Sequence, residues 1–229
     1  RSETVEVELP TSVANLQSIR HSDGTIAPTA VAHNKLRFRT TELPPLGYAV
    51  YALAEGAAEQ MRKQPCDEPP TLENEFYRLT FGGNGSITGI FDKRLGRQLI
   101  DAAAAYRCNQ LVYTRDEHKT FSSPTAARFE IESSPLEQTV VARMNDPVSG
   151  AEIEQRVTLP SHEKRVDIDN RLTHVGDLAT KDRWHRFGYY AFPFDVPEGE
   201  FRIGLNGCSA NPYKDQTGLT TDAYHAARD

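Results

Sequence analysis

Asp167 and Asp169 stand two apart in the run RVDIDNRL (165–172). On a β-strand that spacing points both carboxylates to one face, roughly 6.5–7 Å apart along it. A glycosidase acid/base pair works at a similar separation. Alternation offers a competing account: Val166, Ile168 and Leu172 face a core while Asp167, Asp169 and Arg171 face water. That account explains every residue of the run, so the pair is expected to be a solvent face. Asp116 and Glu117, in TRDEHK, read as a charged loop tip.

Other reactive side chains are scattered. The histidines are His21, His33, His118, His162, His174, His185 and His225. None is expected to stand in the HxH, HxD or HExxH spacing that sets two ligands on one metal. His174 and His185 are therefore taken as structural. There is no GxSxG, and no Ser or Cys has an activating neighbour. GGNGS (82–86) has the glycines of a phosphate cradle but no helix pattern or Lys-Ser/Thr after it, so it reads as a turn. Asn84-Gly85-Ser86 is also a glycan acceptor sequence, although Asn-Gly is what a hairpin turn wants.

Aromatic residues are the stronger signal for a binding role. DRWHRFGYYAFPF (182–194) gathers Trp184, Phe187, Tyr189, Tyr190, Phe192 and Phe194 beside His185 and Arg186. Such rings stack on the C–H faces of sugars while polar neighbours bond the hydroxyls. Tyr190, Phe192, Phe194 and Val196 alternate and are expected to point inward, which leaves Trp184 freer to serve a site. The polar end of the chain, 211–229, reads as a loop offering Tyr213, Asp215, Gln216 and Tyr224, and loops over rigid sheets are where function concentrates.

The elements that must position these residues are strands. The 229 residues carry a formal charge of −6 and no apolar run long enough to span a membrane. A nucleic-acid binder would show a basic face; a neutral, polar ligand suits this charge better. Cys66, Cys108 and Cys208 are odd in number and far apart, which points to a reducing compartment, the cytoplasm. Period-2 runs recur from Val5 to residue 53, with HSDGT (21–25) as a turn. They resume at 76–81, 86–91, 109–114, 127–133, 138–144, 152–159, 165–172, 189–196 and 200–205. Short strands without helical patterns between them imply stacked antiparallel sheets. The Pro-rich stretch 61–70 is expected to be a linker between a small β-domain (1–60) and a larger one (71–229). DAAAAYR (101–107) is the best short helix on propensity. The abrupt ends, RSETVEVEL and TTDAYHAARD, read as a piece of a longer protein.

LENEFYRLTFGGNGSITGIFDKRLGRQLID (72–101) resembles the start of the large C-terminal β-sandwich of glycoside hydrolase family 38 α-mannosidases. The matching residues include Leu72, Glu73, Asn74, Tyr77, Gly85, Asp92, Lys93, Gly96 and Arg97. LPPLGYAVYAL (43–53), IEQRVTLPSHEKRVDIDNRLTH (153–174) and YYAFPFDVP (189–197) support it in the right order. The resemblance implies an all-β fold: a small antiparallel β-unit, then a galactose-mutarotase-like supersandwich truncated at its C-terminal end. It also implies a parent enzyme that hydrolyses α-mannosides with retention, using a zinc ion and an aspartate nucleophile held in an N-terminal catalytic domain.

On that resemblance no residue here is catalytic or binds metal, and the zinc belongs to the absent domain. The expected partners are that catalytic domain and a mannose-containing saccharide, with neither nucleic acid nor membrane. A tyrosine reaches the family's sugar pocket from the C-terminal half, and Tyr224 is the position that fits. Tyr213, Asp215 and Trp184 complete the expected substrate contacts. Two other readings stay open: a stand-alone carbohydrate-binding module, and a mutarotase-like epimerase that recruits His174, His185 and Glu154.

Overall fold

The computed structural model describes residues 3–8, 18–32, 35–40, 46–54, 59–114, 121–146, 150–173, 188–200, 202–205 and 208–211. Every regular element among them is a β-strand. The chain divides into two compact units, Arg1–Phe194 and Asp195–Asp229.

The first unit begins with short strands: β1 Thr4–Glu8, β2 Ser18–His21, β3 Ile26–Ala27, β4 Thr29–Ala32, β5 Lys35–Arg39, β6 Tyr51–Ala54 and β7 Glu59–Gln60. They form two small sheets, ordered β1-β5-β4-β7 and β3-β2-β6. Leu36 and Phe38 alternate with polar neighbours on β5 and enter a core with Ile19 and Ala27. HSDGT is the expected turn: His21 N–H donates to Thr25 O, and Gly24 takes φ +88°.

The larger body of this unit holds β8 Arg62–Cys66, β9 Thr71–Glu73, β10 Tyr77–Phe81, β11 Ile87–Asp92, β12 Arg97–Gln98, β13 Gln110–Thr114 and β14 Phe121–Ser122. Next come β15 Arg128–Ser133, β16 Glu137–Asn145, β17 Glu152–Pro160, β18 Asp167–Thr173 and β19 Gly188–Ala191. One sheet runs β12-β11-β10-β9, another β18-β17-β16-β15-β8, and a third β14-β13-β19. Along β17, Ile153, Gln155, Val157 and Leu159 turn inward while Glu154, Arg156 and Thr158 turn outward. The inward row packs with Val140 and Ala142 of β16 against Leu72, Leu79, Ile87 and Ile90 of the four-stranded sheet. Each such buried aliphatic contributes about 1.5–3 kcal/mol relative to exposure. This is a β-sandwich.

The hairpin turn after β10 needs its glycine twice over. Gly85 has φ +80°, and a Cβ there would lie 3.0 Å from Met144 Cε and 3.1 Å from Ala142 Cβ. The turn thus lies against the facing sheet.

Three expectations change. The linker at 61–70 contains β8, which pairs with β15 as the edge of the five-stranded sheet. Pro65 is tolerated because an edge strand can spare an N–H. DAAAAYR is a series of turns, not a helix. Seven residues cannot repay helix nucleation, and local bonds claim the backbone: Asp101 Oδ1 accepts from Ala103 N–H, and Gln110 Oε1 accepts from Arg107 N–H. The run 189–196 keeps strand form only to Ala191. Pro193 interrupts it, and Phe192, Phe194 and Val196 are exposed instead of inward.

In the second unit, β20 Ile203–Leu205 and β21 Cys208–Ala210 form an antiparallel hairpin. Glu200 accepts from Arg202 Nη2 at 2.8 Å and from Asn211 Nδ2 at 2.8 Å.

Candidate functional site

The signature residues of 72–101 converge on one corner of the sandwich. Asn74 Oδ1 accepts from the N–H groups of Phe76 and Tyr77 at 2.8 and 2.7 Å. Its Nδ2 donates to Pro160 O and Glu163 O, at 2.7 and 3.3 Å, in the connection after β17. Lys93 bonds Asn74 O and pairs with Glu73 at 2.7 Å. Asp92 is buried; one oxygen caps Arg94 and Leu95 N–H, and the other meets Lys164 Nζ at 2.8 Å. Lys164 foremost, then these N–H groups, hold the Asp92 carboxyl below its ordinary range. Gly96 closes the turn at φ +65°. The motif ties the hairpin of β10 and β11 to the chain at and after the end of β17.

Asp167 and Asp169 are exposed on β18, and Asp167 pairs with Arg165 at 3.0 Å. They stand on the outer face of the sheet, exposed among the described residues, as alternation required. The Cys108 thiol is buried, and burial pushes it up to about 11, far from a reactive thiolate. Asn84 spends its Oδ1 on the N–H and hydroxyl of a buried Ser86, so NGS serves the turn. Against the expectation that no H-x-D is present, His21-Ser22-Asp23 spells one within the first turn. There Asp23 accepts from Thr25 N–H and Oγ1, which hold its carboxyl below the ordinary range. Among the described residues no three His, Cys, Asp or Glu side chains converge as metal ligands, so this set does not fit a zinc ion.

Trp184, Tyr213, Asp215 and Tyr224, the expected substrate contacts, lie outside the described residues, as do His174 and His185. Glu154, the third residue of the epimerase reading, is described. It is ion-paired with Arg143 Nε at 2.9 Å.

That pair lies in an open depression of about 790 Å³ on the five-stranded sheet. Register builds it. Arg128 on β15 stands opposite Arg143 on β16, Arg143 opposite Glu154 on β17, and Glu154 opposite Arg171 on β18. Asn145, Glu152 and Thr173 form the next row toward the rim, and Met144 and Ile153 add apolar lining. Farther along the same face of β15, Glu132 is buried against Lys63 at 2.7 Å and against Arg156. Burial alone would raise its pKa, but the two cations outweigh it and hold the carboxyl low. Each arginine of the row sits at an outward position of its own strand. Their meeting depends on register between strands, which alternation does not give.

Behind this face the core is partly polar. Asn109, at φ +56°, exchanges two amide hydrogen bonds with Asn170, and Gln155 Nε2 donates to Asn109 O at 2.9 Å. Among the described residues Gln155 Oε1 and Tyr190 Oη are buried with no well-formed hydrogen bond. Burial pushes the Tyr190 phenol up to about 12, with the nearby Gln155 amide working against it.

Fold and corner define the class first: a β-sandwich whose defining residues are braces. Residues 72–208 match the glycosyl hydrolases family 38 C-terminal domain, and the chain belongs to that family. Among solved structures, an α-mannosidase from Enterococcus faecalis V583 is similar, with 14% sequence identity and a TM-score of 0.46. The likeness covers 77% of this chain and 29% of that one, so the chain spans less than a third of the neighbour's length. No curated protein gives a significant sequence match. Among the described residues no helix is long and apolar enough to cross a membrane.

Proposed function

We propose that this chain is the non-catalytic C-terminal β-sandwich of a zinc-dependent, retaining α-mannosidase. It walls the sugar pocket and holds the catalytic domain of the same parent chain. The observation that carries the reading is the family match over 72–208. The zinc and the nucleophile are supplied by the catalytic domain. Tyr224, with Tyr213, Asp215 and Trp184, contributes hydrogen bonds and a ring face to the mannoside.

An exposed apolar strip supports a partner domain. Leu46, Tyr48, Val50 and Leu53 are exposed, as is Ile26 on β3, and Tyr48 is 87% accessible. Residues 46–50 run on from β6 without a strand partner among the described residues. Unpaired backbone flanked by apolar side chains is a surface that soluble proteins cover.

The test is an aryl α-mannoside assay on the purified chain, with and without zinc, repeated after adding the catalytic domain. The expected result is no turnover alone and turnover once the catalytic domain is bound. Zinc-dependent turnover by this chain alone at about 1 per second or more would overturn the reading. In the parent enzyme, Tyr224→Phe is expected to cost roughly 1–2 kcal/mol in kcat/KM, the scale of one hydrogen bond. Unchanged kinetics would remove Tyr224 from the site.

A further inference from the structure

Arg128 and Arg143 stand directly opposite each other on adjacent antiparallel strands, both facing the depression on the outer sheet. Like charges in that position destabilise a sheet. Arg143 is compensated, at 2.9 Å by Glu154 and at 4.0 Å by Glu130. Arg128 is exposed and has no ion pair among the described residues, and the same holds for Arg171 across Glu154. The row thus sets three guanidiniums around one carboxylate, Glu154, and two of the three lack an ion pair among the described residues. Arg128, exposed beside a compensated Arg143, is the cation left to take an anion.

We propose that the Arg128–Arg143 pair binds the phosphate or carboxylate of a small hydroxylated ligand, an acidic saccharide. Guanidiniums grip such oxyanions through paired N–H donors. From β15 to β18 the row spans three strand spacings, roughly 14 Å, which is room for one or two sugar rings. Glu154, Asn145 and Thr173 are placed to take hydroxyls. No aromatic side chain is found among the described lining residues, which disfavours a nucleotide base. The overall negative charge disfavours a polyanion. This site is separate from Tyr213, Asp215 and Tyr224 in sequence, and it does not rest on the reading of the parent enzyme.

The experiment is isothermal titration of the 229-residue chain at low ionic strength. The probes are a hexose 6-phosphate, a hexuronate, the neutral hexose and inorganic phosphate. One of the acidic sugars is expected to bind in the millimolar range or tighter, about tenfold more tightly than the neutral sugar or bare phosphate. Which acidic sugar binds identifies the anionic group. Arg128→Gln is expected to lower that affinity about tenfold while leaving Tm unchanged or higher, because it relieves the like-charge pair. A retained Tm separates loss of the site from loss of the fold. The proposal is overturned if neither acidic sugar binds at about 10 mM, if inorganic phosphate binds as tightly as the sugars, or if Arg128→Gln binds like the parent chain.

Discussion

Asn74 uses both ends of one amide to hold two loops at once, its oxygen on its own turn and its nitrogen on the chain after β17. Removing it strands four backbone groups. Asn74→Ala is therefore expected to cost about 2 kcal/mol, read as a lower urea midpoint with an unchanged slope. Asp92 and Glu132 are buried carboxylates that contribute to the loss of stability in acid. Both carboxyls titrate lower in the folded chain than in the unfolded one. Their contribution is thus complete above the ordinary carboxylate range and is lost as pH falls through the depressed folded values. Asp92→Asn should flatten the fall in stability below about pH 4, the unfolded carboxylate range. A denaturation series across pH reads this directly, and an unchanged acid slope would contradict it. Asp167 makes the opposite case. It is exposed and bonded only to Arg165 among the described residues, so Asp167→Asn should change stability by less than about 0.5 kcal/mol.

At the scale of elements, two turn glycines with similar angles should behave differently. Gly85 and Gly96 both have positive φ, +80° and +65°, but only Gly85 has atoms waiting where a Cβ would go. Gly96→Ala pays for the backbone conformation alone, about 1–2 kcal/mol. Gly85→Ala adds overpacking against Met144, Ala142 and Gln155, for a total of about 2–4 kcal/mol. Thermal melts of the two variants side by side check the order; equal losses would mean that the hairpin lifts off the facing sheet at no cost. The turn was legible from GGNGS, while its contact with β16 and β17 was not, because that contact joins residues about sixty apart. The same limit applies to β8. QPC reads locally as a breaker, and only its place at a sheet edge makes Pro65 harmless.

For the whole molecule, Leu46, Tyr48 and Val50 form an exposed apolar strip among the described residues, the surface on which the proposed docking to a catalytic domain rests. Apolar side chains left in water favour association of any surfaces that can cover them. Tyr48→Glu with Val50→Asp should leave Tm nearly unchanged, since both side chains are exposed already. The same pair should weaken co-purification with the catalytic domain of the parent enzyme, and equal recovery with and without the changes would assign docking to another face.

The sequence by itself determined the all-β class, many of the strands, the main turns and the outward placing of Asp167 and Asp169, because alternation and turn chemistry are local properties of the chain; the motif at 72–101 carried the family resemblance. It did not determine that Asn74 and Asp92 are braces, or that Phe192 and Phe194 face water. Nor did it show that Arg128, Arg143 and Arg171 share a row with Glu154. Each of those depends on which strand lies beside which, and in what register. A shift of one residue sends a side chain to the other face of the sheet, so the row exists only once the neighbouring strands have paired and the core behind them has fixed the register.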